Sequence, residues 1–240
     1  MSSFSSKEHA APFTLEYQVF LKNEKEQYIS PFHDVLIYAD KHIFHMVVEA
    51  PHWSNAKMEI RKLCYVANLF PYTGYIWNYG HNDKRTGCCG DNDPIDVGEI
   101  VRVKVLGILA MTDEGETGWK VIAINVDDPD AANYNEINDV KWLKPGYLEA
   151  TVDWFRRYKV PGGKPESQFA LNAEFKDKDS ATDIIKSTHN RWRASVTKKI
   201  RPFKCDPDAA EAIMDALPPP CQSACTVPTD VEKCFHHQKN

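Results

Sequence analysis

"VRVKVLGILAM" (residues 101–111), followed by "WKVIAINV" (119–126), decides the fold. Both are short runs rich in β-branched residues, the composition of strands on a part-buried pleated surface. Working outward, Ile43 to Val48, Leu63 to Leu69 and Gly74 to Tyr79 are further short aromatic or β-branched runs. Phe13 to Phe20 alternates, with Phe13, Leu15, Tyr17 and Val19 on one face. Pro71, Gly74, Gly87 and Gly90 punctuate the series as turn residues. Short strands at this spacing predict a barrel or sandwich rather than alternating βαβ units. The second half is helical. After Pro145, the residues Leu148, Val152, Phe155 and Tyr158 fall at helical spacing, and from Asp179 so do Ala181, Ile185, Thr188, Trp192 and Val196. Asp206 and Pro207 form an N-cap and N1 pair opening a helix with Ala210, Ile213, Met214 and Leu217. Pro218, Pro219 and Pro220 end it, and an extended tail follows. With no repeat and no flexible linker, the chain reads as one domain over 1–240, its core roughly 13–200 and a C-terminal helix and tail over 201–240.

At 240 residues the chain can bury a substantial core, and 42% hydrophobic with 26% charged residues is ordinary for a globular protein. A net charge of −5, with no basic tract, argues against a general nucleic-acid binder. The N-terminus, MSSFSSKEHAAPF, has no apolar core of a secretory signal, and the longest apolar run, Val105 to Met111, is far too short to span a bilayer. Seven cysteines, with Cys88 and Cys89 adjacent, make no paired framework. They read as reduced thiols of a cytoplasmic protein. The tail set Cys221, Cys225, Cys234, His236 and His237 matches no common structural-zinc spacing.

The stretch "GDNDPID" (90–96) crowds Asp91, Asp93 and Asp96 together, with a proline keeping them off a helix face. Like charges this close push one another's pKa values up unless a cation is present. A second cluster carries Asp113, Glu114 and Glu116 ahead of Lys120, and a third holds Glu49, Lys57 and Glu59. Any one such cluster alone reads as a solvated turn. Three of them at strand ends, each with a lysine or tyrosine nearby, predict a pocket for hard divalent cations and phosphate. A calcium loop fails, because positions five and six after Asp91 are Ile95 and Asp96, where an oxygen ligand and a glycine are needed. Lys120 lies in a strand pattern, where a half-buried lysine needs a partner. Tyr75 and Trp77 fit barrel packing as well as a site.

Five separated motifs, "GYIWNYG", "WSNAKMEI", "GDNDPIDV", "DEGET" with "WKVIAI", and "WFRRYKVPGGKPE", resemble the soluble family I inorganic pyrophosphatases, of the animal cytosolic kind. The resemblance covers nearly the whole chain, including the "DALPPPC" tail. It implies an OB-fold-like β-barrel with flanking helices, a homodimer, and Mg²⁺-dependent hydrolysis of pyrophosphate, with Mn²⁺ as a substitute. Carried over by motif, Asp91 and Asp96 resemble metal ligands, with Asp96 bridging two ions. Asp93 resembles the carboxylate that takes the proton of the attacking water. Asp113 and Glu59 resemble ligands of the metals that arrive with substrate, and Glu49 an acid outside the ligand set. Lys57, Lys120, Tyr158 and Lys159 resemble the phosphate-binding set, with Tyr75 and Tyr79 as the site tyrosines and Tyr79 beside the nucleophile.

Two positions depart from the family pattern. Cys64 stands where an arginine grips phosphate, and Gly118 where an aspartate is a metal ligand. A thiol makes no bidentate phosphate contact, and glycine offers no ligand; Arg61 or Lys62 is the nearest replacement charge. The chain is also shorter than the family near Ile60 to Lys62, Gly80 and His81, Gly98 to Val101, and Lys199 to Arg201. At the first of these, Arg61 and Lys62 lack the usual chemistry of a two-residue hairpin, so the strands there are expected to pair differently or run on as one. Two expectations follow: a working pyrophosphatase with a trimmed barrel, or a catalytically impaired copy that keeps metal binding or dimerises with a partner.

Overall fold

The computed structural model describes residues 4–10, 17–31, 34–59, 62–81, 99–113, 116–199 and 235–236. In chain order the strands are β1 (Ser5–His9), β2 (Gln18–Lys22), β3 (Tyr28–Ile29), β4 (Tyr38–Asp40), β5 (Ile43–Ala50), β6 (Ala56–Glu59), β7 (Lys62–Tyr65), β8 (Asn68–Leu69), β9 (Tyr79–His81), β10 (Ile100–Asp113), β11 (Glu116–Asn125), β12 (Gln168–Phe169), β13 (Lys176–Asp177) and β14 (Phe235–His236). The helices are α1 (Ile137–Leu143), α2 (Tyr147–Arg157) and α3 (Lys178–Lys199).

The long strand β10 organises the fold. One of its edges pairs antiparallel with β11 from Val103 to Asp113. The other pairs with β5 through Lys104, then with β13 at Gly107 and Ile108, then with β12 at Met111 and Thr112. The change of partner coincides with a bulge at Leu106. Gly107 is required there, because a Cβ would lie 2.6 Å from the Lys176 carbonyl oxygen. A bulge and a glycine at the corner are how a sheet bends towards barrel geometry.

The bulge also explains why β10 reads as a continuous apolar run. Val101, Val103, Val105 and Ile108 join a core with Phe44, Met46, Val48, Val121, Ala123 and, from α3, Ala181 and Ile185. Leu106 and Met111 face a second core with Ile122, Ile124, Tyr75, Trp77 and, from α1 and α2, Ile137, Val140, Leu148, Trp154 and Phe155. Both faces of the sheet are therefore covered, and neither strand needs a polar face. The expected helix beyond Pro145 is α2 and the one from Asp179 is α3. The short helix α1, opened by a capping box between Glu136 and Asp139, had not been expected.

Two expectations meet the structure differently. Lys62 pairs with Glu59 and Tyr65 with Ala56, so β6 and β7 form an antiparallel hairpin rather than one strand. The run Gly74 to Tyr79 is irregular and becomes strand only at Tyr79. The first half of the Phe13 to Phe20 alternation and the helix expected from Asp206 lie outside the described residues.

Candidate active site

The segment from Gly74 to Asn78 is largely buried and belongs to no strand, so its backbone groups need partners outside a ladder. Three buried asparagines, Asn55, Asn68 and Asn78, tie it to its neighbours. Asn55 Nδ2 donates to the Val66 carbonyl (2.7 Å) and to Asn68 Oδ1 (2.8 Å), and Gly74 N–H donates to the same Asn68 oxygen (2.9 Å). Asn78 Oδ1 accepts from the His52 N–H at 2.8 Å, and the Ser54 carbonyl from the Tyr75 N–H at 2.9 Å. Gly74 holds φ +54°, and a Cβ there would come 2.5 Å from the Ser54 oxygen. Only glycine combines that dihedral with that approach. The Asn68 amide at Gly74, with the Trp53 N–H and Ser54 carbonyl at Tyr75, thus holds the strip that presents Tyr75, Trp77 and Tyr79.

Helix α2 closes over this strip. Trp154 Nε1 donates to the Gly74 carbonyl (2.9 Å), and Trp77 Nε1 to Thr151 Oγ1 (3.2 Å). Trp77 stacks on Phe155 and Trp154 on Tyr158, with centroids 4.9 Å apart in each pair. Tyr75 touches both Trp154 and Tyr79. Trp77 is fully buried and Tyr75 nearly so. The packing reading therefore holds for Trp77, and Tyr75 is the wall on which Tyr79 rests.

Strand β9 brings Tyr79 beside β5. Gly80 is obligatory at that crossing, because a Cβ would fall 2.0 Å from the Val47 carbonyl oxygen. The pairing steps from Val48 to Ala50 on β5 against a single residue on β9, which leaves Glu49 at a bulge. Glu49 Oε2 lies 3.5 Å from Lys57 Nζ, both side chains being largely buried. Lys57 Nζ also sits 5.0 Å from the centre of the Tyr79 ring. Lys120, on the face of β11 shared with Ile122, donates to the Tyr79 hydroxyl at 3.4 Å. Lys120 is 9% exposed and lies 5.5 Å from the Phe155 ring. The half-buried lysine has its partner. Two ammonium groups thus flank one phenol, one steadied by a carboxylate and the other by ring faces.

The structure brings Glu49, Lys57, Tyr75, Tyr79, Lys120 and Tyr158 into one connected group. Lys159 continues from Tyr158, its Nζ 5.7 Å from that ring. Glu59 ends β6 opposite Lys62, and Asp113 ends β10 opposite Glu116. Cys64 is the register partner of Lys57, and Gly118 that of Met111. Asp91, Asp93 and Asp96 lie outside the described residues. Sequence reasoning missed Asn55, Asn68 and Asn78, which hold the strip. It also missed Tyr72, Asp153 and Arg157 beside it, although the i,i+4 spacing of Asp153 and Arg157 on a helix was a usable signal.

Residues 46–193 match the family model described as inorganic pyrophosphatase. Over its whole length the chain is 69% identical to the inorganic pyrophosphatase of Homo sapiens, which is itself covered completely. That alignment runs over 289 positions against 240 residues, so 49 of them (289 less 240) have no residue in this chain. This agrees with a shortened chain without locating the gaps. Among solved structures, the inorganic pyrophosphatase of Schistosoma japonicum superposes with a TM-score of 0.77 at 40% identity, over 83% of this chain and 84% of that one. A truncated vacuolar soluble pyrophosphatase of Trypanosoma cruzi, solved in complex with PPi, gives 0.70 at 28% identity over 82% and 92%. These matches carry the OB-like barrel architecture with them. The chain belongs to the inorganic pyrophosphatase family.

Proposed function

We propose that the chain hydrolyses inorganic pyrophosphate to two orthophosphates with Mg²⁺, or Mn²⁺ in its place. The observation that carries this reading is the Lys57–Tyr79–Lys120 assembly, which sets two cationic groups beside one phenol in a largely buried place. Pyrophosphate is so anionic that its phosphorus repels an incoming nucleophile, and preorganised positive charge is what hydrolysis most needs. The family membership and the pyrophosphate complex of the Trypanosoma cruzi relative support the same substrate.

The residues assigned to the cation, Asp91, Asp96, Asp113 and Glu59, offer carboxylate oxygens and neither thiol nor imidazole. That donor chemistry fits a hard divalent ion. Among the described residues no three acidic, histidine or cysteine side chains gather as a metal site, so the assignment leans on the 91–96 motif. When bound, the ion would neutralise phosphate charge and lower the pKa of a nearby water. The chain's own residues do the rest in this reading. Asp93 takes the proton of the attacking water, whose oxygen forms the new bond to phosphorus as the bridging P–O bond breaks. Lys57 and Lys120 hold phosphate oxygens, Glu49 steadies Lys57, and Tyr79 lies beside the nucleophile. Tyr75, Tyr158 and Lys159 orient the far phosphate. Among the described residues no helix is long and apolar enough to cross a membrane. We take the working form to be a cytoplasmic homodimer that binds no nucleic acid, as the family resemblance implies; a sedimentation mass of one chain would refute the dimer.

A phosphate-release assay at saturating Mg²⁺ tests the activity. Metal-dependent turnover is expected, and Lys120→Met lowers kcat about 10²- to 10³-fold, the usual loss for one preorganised charge partner. No release by the parent chain overturns the activity, and an unimpaired Lys120→Met overturns the site.

A further inference from the structure

Next to the site, three residues from two segments meet in a cluster that no phosphate or metal role accounts for. Tyr72 Oη donates to Asp153 Oδ2 at 2.9 Å. Arg157, one turn further along α2, donates through Nε to Asp153 Oδ1 at 3.0 Å and through its terminal nitrogen to Oδ2. The Asp153 carboxylate thus accepts from a tyrosine on the buried strip and from both arms of a guanidinium on the helix. Such a charge-assisted, forked arrangement has strict geometry.

The position of the cluster matters more than its strength. Tyr72 is two residues before Gly74, whose carbonyl accepts from Trp154, and three before Tyr75. Asp153 adjoins Trp154, on which Tyr158 stacks. Arg157 is the last residue of α2, directly before Tyr158 and Lys159, and it also feels the charge of Glu166 beyond them. After Lys159 the chain bends into a short 3₁₀ turn, closed by Gly162 N–H to the Lys159 carbonyl (3.0 Å). Helix α2 is therefore fastened to the strip at three points: Trp77 to Thr151 and Trp154 to Gly74 inside the core, and Asp153 to Tyr72 nearer solvent. Only the last of them also engages Arg157, the residue directly before Tyr158 and Lys159.

We propose that Asp153, bridging Tyr72 and Arg157, is a positioning residue that sets the placement of the Tyr158–Lys159 end of α2 against the Tyr75–Tyr79 strip, and so governs how well the far phosphate is held. It touches no reacting atom. The inference rests on the proposed pyrophosphate site. Burial, then the hydrogen bond and charge of Asp153, hold the Tyr72 hydroxyl up at about 12, so it stays a donor over any working pH. The fastening is a permanent one.

The test uses the full chain with Mg²⁺ and two readouts: hydrolysis of pyrophosphate, and calorimetric binding of its non-hydrolysable analogue methylenediphosphonate. Asp153→Asn and Tyr72→Phe are expected to raise KM and weaken analogue binding about three- to tenfold, with kcat within about twofold of the parent. Their double variant is expected to be no worse than the poorer single one, because both cut the same link. Asp153→Glu should recover part of the loss. A lowered melting temperature with unchanged KM and analogue affinity would make the cluster merely structural and overturn the proposal. So would additive effects of the two changes. A parent that binds the analogue without hydrolysing pyrophosphate refutes the proposed activity while leaving the positioning role readable in binding. A parent that does neither overturns both.

Discussion

A glycine where a carboxylate is expected leaves a hole in the charge pattern without leaving one in the packing. At Gly118 an added Cβ would meet only the Met111 carbonyl oxygen, at an ordinary contact distance of 3.7 Å. The backbone of β11 therefore accepts a side chain there, two residues before Lys120 on the same strand face. Cys64 is a different loss, because it stands across the ladder from Lys57 and removes positive charge rather than negative. Restoring the two should act on different variables. Gly118→Asp is expected to raise turnover chiefly at low Mg²⁺, and Cys64→Arg to lower KM for pyrophosphate. Together they should give more than the sum, with a coupling of roughly 0.5–3 kcal/mol. Turnover of the two single variants and the double variant across a Mg²⁺ titration reads this directly, and a double variant no better than the parent sinks it. Single residues were the most legible scale in the sequence where chemistry forced their environment. A lysine inside an apolar strand announces a partner, and Lys120 has Tyr79. Asn68 and Asn78 carry no such signal, because a buried amide is recognised only by the backbone groups it serves.

At the scale of elements, β10, β11, α2 and α3 were legible because each is long enough to show a period or a sustained run. The strip from Gly74 to Tyr79 was not. Its aromatic composition imitates a strand, while its backbone partners are the Trp53 and Ser54 main chain and the Asn68 and Trp154 side chains, outside any ladder. The bulges at Glu49 and Leu106 were hidden as well, since a bulge changes which residues share a face without changing composition. Helix α3 offers a clean test of a local rule. The Asp177 carboxylate accepts from the Ser180 N–H at 2.8 Å, the N-terminal cap of the helix that carries Ala181 and Ile185 into the core. The hydrogen bonds from Ser180 hold its pKa below the ordinary 3.8. A depressed carboxylate contributes stability that is fully present above 3.8 and is lost as the pH falls through the lower, folded value. Asp177→Ala should therefore melt below the parent at pH 7, and the gap should close as the pH drops below 3.8. A gap that persists undiminished in acid, in thermal melts followed by circular dichroism, would show that the charge contributes nothing to the cap.

For the whole molecule the crowded aspartates turn from a local oddity into a term in folding. Asp91, Asp93 and Asp96 lie within seven residues, and the proposed site would gather them with Asp113 and Glu59 around the cation. In such a site the repulsion without a cation would fall on the native state. A divalent ion that binds the native state and not the unfolded chain must then stabilise the whole fold by mass action, by about 2.7 kcal/mol at a hundred times its dissociation constant. In a chain of this size that corresponds to a rise in melting temperature of roughly 5–10 °C. Ordinary screening is the competing explanation, because salt also weakens repulsion between carboxylates. The two separate cleanly. Screening depends on ionic strength and is indifferent to which cation supplies it, whereas a site saturates and depends on its ligands. Melts in rising Mg²⁺ are expected to climb and level off, and Na⁺ at matched ionic strength to give much less. Asp96→Ala should melt higher than the parent in the presence of a chelator, because one repelling charge is gone, and should rise little with Mg²⁺. That reversal of order between chelator and Mg²⁺ is the signature of carboxylates gathered for a cation. If Na⁺ reproduces the rise, or if Asp96→Ala responds to Mg²⁺ as the parent does, the acidic stretch is a solvated turn and the ion binds elsewhere.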